Sequence, residues 1–226
     1  MRNIFLPLSV LSVALFFSAC NKDNSSPANT ANVMFVNACN GSTNIEVKVN
    51  GSVVSAASNL AYFSYSGYQS VTSGTGVAVN FYLTALGTPL VSGSPSFTTG
   101  SNYSVFAGGI VTSPTFVMAS DDLSAPTSGY SKVRFINLSS DTLNESFYIA
   151  GLKLDSNVTM GTCTLFFEVA ANTSAAVLIQ DPLQPTKLAQ IASQAFVSGK
   201  IYTIMLSGTS TGTGTAILTP TVINNN

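Results

Sequence analysis

Acid–base chemistry in this chain would have to run on carboxylates, because the sequence contains no histidine. That absence removes the commonest general base, the commonest zinc ligand and every Ser–His–Asp or Cys–His arrangement. Past the N-terminal segment the carboxylates are Glu46, Asp121, Asp122, Asp141, Glu145, Asp155, Glu168 and Asp181. Glycoside hydrolysis would need two of them facing each other across a cleft. Alternation places Glu46 on the outward face of a strand. Asp141, Asp155 and Asp181 fall among turn residues, while Glu145 and Glu168 are left unplaced. No catalytic residue is assigned, no cofactor is implied, and the chain reads as a protein that is not an enzyme.

Metal and ligand chemistry is equally sparse. Cys39 and Cys163 lie in no CxxC or other ligand spacing, so no metal site is assigned. An oxidising compartment would allow them to bridge. They occupy non-equivalent positions in different halves of the chain, and two separate small hydrophobes is the preferred reading. Asp121-Asp122 has the charge to attract calcium but supplies too few of the six or more oxygens that ion takes. Neighbouring side chains on a strand also point apart, so a solvated turn is expected there. Tyr62, Tyr65 and Tyr68 form a local aromatic cluster whose faces could stack on a sugar. Their spacing of three keeps all three from sharing one face of a strand, and a tyrosine at a sandwich edge with its hydroxyl in water is the plainer use.

The elements that must position these residues begin with an address. Met1-Arg2-Asn3, the apolar run Ile4 to Phe17 and the small residues Ser18-Ala19 have the three-part form of a secretory signal. The run is too short to span a bilayer, which takes about 20 apolar residues. Phe17-Ser18-Ala19-Cys20 resembles the lipobox of bacterial lipoproteins, with Phe in place of the commoner Leu. The resemblance implies that residues 1–19 are removed and that Cys20 carries lipid, the membrane partner of the chain. Residues 20–31 then read as the lipidated cysteine and a disordered tether. Lys22-Asp23 resembles the charged signals that route some Bacteroidetes lipoproteins to the surface. Lipid anchorage to the outer membrane is expected, with the surface preferred to the periplasmic face.

Composition narrows the partners. Charged residues make up 8% of the chain and none lies between Asn50 and Ser120, against about a quarter in an ordinary soluble domain. Ser, Thr, Asn and Gly interrupt every apolar run, so no internal segment reaches spanning length. A formal net charge of −1 provides no basic field for phosphates, and nucleic acid is set aside.

An internal repeat gives the domain plan. Asn32-Val33-Met34-Phe35-Val36-Asn37-Ala38 recurs as Lys132-Val133-Arg134-Phe135-Ile136-Asn137-Leu138. Phe97-Thr98-Thr99-Gly100-Ser101-Asn102-Tyr103-Ser104-Val105 recurs as Phe196-Val197-Ser198-Gly199-Lys200-Ile201-Tyr202-Thr203-Ile204 at nearly the same offset. Two domains follow, 32–122 and 132–223, joined by a linker over 123–131 that Pro126 stiffens. Both read as all-β. Ile45, Val47 and Val49 alternate with Glu46 and Lys48 ahead of Asn50-Gly51, a type I′ hairpin signal. Phe147 and Ile149 precede Ala150-Gly151 in the same way. Tyr103, Val105 and Ala107, and later Tyr202, Ile204 and Leu206, alternate with residues assigned to an outer face. About seven short strands per domain fit an immunoglobulin-like β-sandwich. Thr186 to Ser193 is the nearest approach to a helix.

Val33 to Ala38, Ile45 to Gly51, Leu60-Ala61-Tyr62 and Ser66-Gly67-Tyr68 resemble the opening pattern of the DUF4397 domain. Asp121 to Pro126 leading into Lys132 to Asn137 resembles the junction between tandem copies of that family. The resemblance implies a β-sandwich in an exported envelope protein and carries no catalytic residues. Asp141-Thr142-Leu143 resembles the short O-glycosylation signal of Bacteroidetes, with Thr142 as acceptor, although Asp-Thr is also ordinary turn chemistry. The expected function is a non-catalytic, lipid-anchored envelope protein that binds or adheres to an unidentified protein or glycan. Glycan capture by the tyrosines is the alternative, and a divergent hydrolase comes third.

Overall fold

Neutral β-branched and aromatic residues at a period of two, broken by Gly, Asn and Pro, favour strands with few helices. The computed structural model describes residues 29–84, 86–142, 144–183 and 188–226 and is all-β. The first unit contains β1 (Thr30–Asn37), β2 (Ile45–Val49), β3 (Ser52–Val53), β4 (Tyr65–Thr72), β5 (Val79–Leu83), β6 (Pro89–Gly93), β7 (Asn102–Ile110) and β8 (Ser113–Ser120). The second contains β9 (Tyr130–Asn137), β10 (Glu145–Ile149), β11 (Leu152–Val158), β12 (Phe167–Ala170), β13 (Asn172–Gln180), β14 (Leu188–Phe196), β15 (Ile201–Ser207) and β16 (Thr219–Asn224). Each unit therefore has eight strands among the described residues, one more than the hydrophobic pattern suggests.

The two units share one connectivity. Sheets ordered β4-β1-β7-β8 and β3-β2-β5-β6 make up the first, and β12-β9-β15-β16 and β11-β10-β13-β14 the second. In both, the opening strand pairs parallel with the seventh: Asn32 lies opposite Asn102, and Lys132 opposite Ile201. Each pair of sheets encloses a core, Phe35, Val47, Phe81 and Val105 in the first and Phe135, Phe147, Val177 and Ile204 in the second. The hairpin turns form as read: Asn50 and Gly51 have φ of 48° and 82°, and Ala150 and Gly151 of 49° and 79°. Positive φ at both central residues is what a type I′ turn requires.

Several boundaries move. Residues 1–28, with the signal and Cys20, lie outside the described residues. The segment read as tether up to residue 31 gives way to β1 at Thr30, where Ala31 pairs with Val71 and is buried. The last strand of the first unit ends at Ser120, and β9 starts at Tyr130, inside the segment read as linker. Helical spacing near Thr186 to Ser193 resolves from Leu188 onward as strand β14.

The largest departure from the sequence reading concerns the faces assigned to solvent. Met34, Val36, Ala38, Phe106 and Val117 of the first unit pack against Ile136, Leu138, Met205 and Ile223 of the second in a third apolar cluster. The sheets β4-β1-β7-β8 and β12-β9-β15-β16 thus meet face to face, and β1, β7, β9 and β15 are buried on both sides. Fully burying a side chain of this size contributes roughly 1.5–3 kcal/mol, so this seam joins the units far more firmly than the connecting segment could.

Candidate functional site

Register identifies which positions of the two units correspond. Met34 lies opposite Tyr68 in β4, and Tyr103 opposite Ser120 in β8. The same pairing rule in the second unit, where Val133 faces Phe167 and Tyr202 faces Asn224, matches Arg134 to Met34 and Phe166 to Tyr68. It also matches Thr203 to Ser104 and Asn225 to Asp121. The seam is therefore built from corresponding positions, as in an isologous dimer interface, and six of these eight residues, all but Met34 and Phe166, supply the polar side chains of its centre.

Arg134 is the hub of that centre and is 1% exposed. Its Nη2 donates to Asp121 Oδ1 at 2.5 Å and to Ser104 Oγ at 3.3 Å. Nη1 donates to the Ser120 carbonyl at 3.0 Å, and Nε to Thr203 Oγ1 at 2.9 Å. Asp121 Oδ2 accepts from Tyr68 Oη at 2.6 Å and from Ser104 Oγ at 2.7 Å. Asn225 Nδ2 donates to Tyr68 Oη at 3.1 Å, and Asn225 Oδ1 accepts from Thr203 Oγ1 at 2.8 Å. Phe166 stacks on the guanidinium, 4.6 Å from its ring centre. Burial, with the Asp121 carboxylate beside it, drives the Tyr68 hydroxyl well above its ordinary pKa. Every donor and acceptor named here has a partner within the network. A buried ion pair needs such full satisfaction to offset its desolvation. The arrangement is a lock between two units.

The sequence candidates are redistributed by this geometry. Tyr68 belongs to the lock. Tyr62 stacks on Phe63 with ring centres 3.8 Å apart, and its hydroxyl meets Ser207 Oγ of the second unit at 2.8 Å. Of the three tyrosines only Tyr65 is exposed, so they do not form a shared sugar-stacking face. Asp121 and Asp122 point apart as expected, yet Asp121 is buried, which overturns the reading of both as a solvated turn. Asp122 faces out and pairs with Lys132 Nζ at 2.7 Å. Lys132 and the neighbouring Ser124 hold its carboxyl well below the usual range.

Thr142 is buried and exchanges hydrogen bonds with the Asn137 amide at 2.9 and 3.2 Å. In the folded chain this hydroxyl is withdrawn from a glycosylating enzyme. Leu143, the third residue of that pattern, lies outside the described residues. Cys39 is buried and free, its thiol pushed up to about 12 by desolvation, and Cys163 is also free.

Sequence reasoning left Glu145 unplaced and put Asp181 in a turn. Both are buried, side by side at the ends of β10 and β13, where Ser146 pairs with Gln180. Burial raises Glu145 to about 7, with Asp181 and Asp141 adding repulsion. Asp141 itself accepts from the Ser210 backbone N–H and hydroxyl at 2.9 and 2.7 Å. At 2% exposure Glu145 has no access for a substrate. Asp155, also read as a turn residue, lies within strand β11. Glu168 accepts the Thr127 N–H at 2.7 Å, which lowers its pKa. Among the described residues, no group of three His, Cys, Asp or Glu side chains is placed to hold a metal ion.

Residues 31–146 match the family described as "Domain of unknown function (DUF4397)". That stretch covers the first unit and continues through β9, so it contains Tyr68, Ser104, Asp121 and Arg134 of the lock. No curated protein sequence matches the chain. Among solved structures, a candidate cell adhesion protein from Bacteroides uniformis ATCC 8492 aligns over 89% of this chain and 100% of its own, at 11% identity and a TM-score of 0.25. A second, from Bacteroides ovatus ATCC 8483, aligns over 88% and 97% at 14% identity and a TM-score of 0.24. Neither superposition is close enough to bear on fold or function.

Proposed function

The chain belongs to the DUF4397 family, and from that premise we propose that it is a non-catalytic binding module of the cell envelope, built from two tandem copies of the family domain. Each copy is read as an immunoglobulin-like sandwich. Lipid on Cys20 holds the protein to the outer membrane, and the double sandwich is presented outward to a protein partner.

The observation that carries this reading is the lock. The arginine, aspartate and tyrosine that would be the first candidates for chemistry are bonded to one another and to their neighbours in a network that joins the two copies. A pair of sandwiches fixed in this way offers a rigid platform, and rigidity lowers the ordering cost that a binding surface must offset. The repeated strand order and the corresponding seam positions support the tandem reading. The Tyr62 and Tyr68 hydroxyls are engaged within the seam and Tyr65 is exposed, which supports a protein partner over glycan capture.

Two measurements test the proposal. Protease shaving of intact cells of the native host should remove the mature protein; survival would place it on the periplasmic face. Replacing Cys20 with Ser should leave an unprocessed precursor that no longer partitions with membranes. Normal processing of that variant would refute the lipid anchor.

A further inference from the structure

The open side of each sandwich, between the β2–β3 hairpin and β4 in the first unit and between the β10–β11 hairpin and β12 in the second, is treated differently by the two units. Register again sets the correspondence: Ser52, opposite Val49, matches Leu152, opposite Ile149. Ser70, opposite Asn32, matches Glu168, opposite Lys132. In the first unit the chain leaves Val54 in a 3-10 turn, Ser55–Ala57, which packs against β4 and buries Ala57 in the core. It rejoins the sheet at Leu60, opposite Ile45. The second unit has no such turn. Its chain continues through β11, with two register shifts, to Val158, opposite Glu145, in two residues fewer.

Both units have a crevice at this place. In the first it measures about 390 Å³ and its lining is mostly polar, with Ser52, Ser55, Gln69, Ser70 and Thr72. In the second it measures about 310 Å³ and its lining is mostly apolar, with Tyr130, Leu152, Leu154, Val169 and Ala175, and Glu168 at its rim. Leu152 is 66% exposed. At two of these positions the fold does not require an apolar residue, because the first unit has Thr30 and Ser52 where the second has Tyr130 and Leu152. The crevice of the second unit also runs beside an unpaired strand edge. Ala171 donates to the Gly129 carbonyl, and antiparallel pairs alternate between bonded and non-bonded. The N–H and C=O of Glu168 and Ala170 therefore point away from β9. In agreement, Lys132 N–H and Tyr130 C=O bond to the Lys200–Gly199 side instead.

We propose that this crevice is a binding site for an extended, uncharged peptide segment of another protein. The segment adds as a strand to the outer edge of β12 through Glu168 and Ala170. Its alternate side chains, small or medium apolar groups, fill the crevice between Leu152, Leu154 and Val169. Strand addition of this kind draws affinity from the main chain and selectivity from the pockets for every second side chain. The inference rests on the reading of the chain as a binding module and names the chemistry of its partner.

The test uses the mature chain with Cys20 replaced by Ser, labelled for amide NMR, and a panel of capped heptapeptides. These alternate Ala, Val, Leu or Phe with Thr or Ser. At least one member should bind below millimolar concentration, shifting the amides of Leu152, Leu154, Val169 and Ala170 and leaving those of Ser52, Val54 and Thr72 unmoved. Ala170→Pro removes an outward N–H and no bond to β9, a placement edge strands tolerate, and should weaken binding at least tenfold. Leu152→Ser, which installs the first unit's residue at an exposed site, should weaken it similarly. Absence of binding by the whole panel would overturn the proposal. So would binding that survives Ala170→Pro, since that marks an apolar pocket without strand addition. Either failure would leave the broader binding role to stand or fall on the shaving experiment.

Discussion

The two units share a strand order and differ in how they use the same positions. Where the first unit puts Met34 at the seam, the second puts Arg134; where the first has Asp121, the second has Asn225. Size is exchanged in the same way. Leu138 reaches across to Gly108, where a Cβ would come within 2.8 Å of its Cδ2. At the reciprocal contact the small Ala38 is met by Ser207, whose Oγ donates to the Ala38 carbonyl at 2.7 Å. A seam of corresponding positions would be self-complementary if the residues were identical. Here charge and volume have been divided between the partners, so each unit fits the other better than a copy of itself. The difference teaches that neither half is a free-standing version of the other, and that the seam is the feature to break first.

The largest effect is expected from Arg134→Ala. Removing one member of a buried pair leaves Asp121 desolvated with Tyr68 and Ser104 as its remaining side-chain partners, a loss of about 3–5 kcal/mol. Urea unfolding followed by far-UV circular dichroism would read it, the chain having no tryptophan. The intact protein should unfold in one transition. The variant should be less stable and separate into two, and an unchanged single midpoint would show that the lock does not couple the units. Gly108→Ala tests the division of volume. The new methyl must displace Leu138, and overpacking of this sort costs about 1–3 kcal/mol. Gly108→Ala combined with Leu138→Ala should recover part of the loss, whereas additive effects would place the strain elsewhere.

The seam was the part of the fold that sequence patterns concealed. Alternation in Ile45 to Val49 and the Asn50-Gly51 turn identified a strand and hairpin correctly because that strand has one buried face. The same rule misassigned β7 and β15, whose second face is also buried, and the outer residues were handed to solvent. A signal was present. Val33-Met34-Phe35-Val36 is an uninterrupted apolar run, as expected of a strand covered on both sides. Arg134 stands inside the matching run. Its burial depends on Asp121 and Tyr68, which approach from strands remote in sequence, and no local pattern encodes that meeting. Likewise Glu145 follows β9 closely in sequence, yet it is buried where Asp181, remote in sequence, lies beside it at the end of β13.

A smaller effect should separate the units by pH. Glu145 in the second unit corresponds to Ile45 in the first, since these residues face Val158 and Leu60. In the folded chain Glu145 keeps its proton up to about pH 7, and unfolded it would release it near 4.5. Between those values the folded state binds the extra proton, so stability from this group falls as pH rises and levels off above 7. Glu145→Gln should abolish that slope and gain stability relative to the parent at pH 8 more than at pH 4.5. An identical pH dependence in parent and variant would mean that Glu145 titrates as an ordinary carboxyl and that Asp141 and Asp181 do not press on it.

The smallest effect is expected from the acid next to the lock. Asp122 lies one residue beyond Asp121 and makes an ion pair of similar length, 2.7 Å to Lys132 against 2.5 Å to Arg134. The side chains of the outer pair are 61% and 11% exposed, those of the inner pair 0% and 2%. Water already solvates Asp122, so Asp122→Asn exchanges one hydrated group for another and should change stability by about 0–1 kcal/mol. Molar salt should shrink even that difference, because exposed charges are screened within a few ångströms. Asp121→Asn should instead resemble the loss at Arg134 and respond weakly to salt. Two adjacent aspartates with bonds of nearly equal length would then differ several-fold in what their removal costs, with burial as the cause. Equal losses would contradict that explanation and transfer part of the coupling between the units to the segment that carries Asp122.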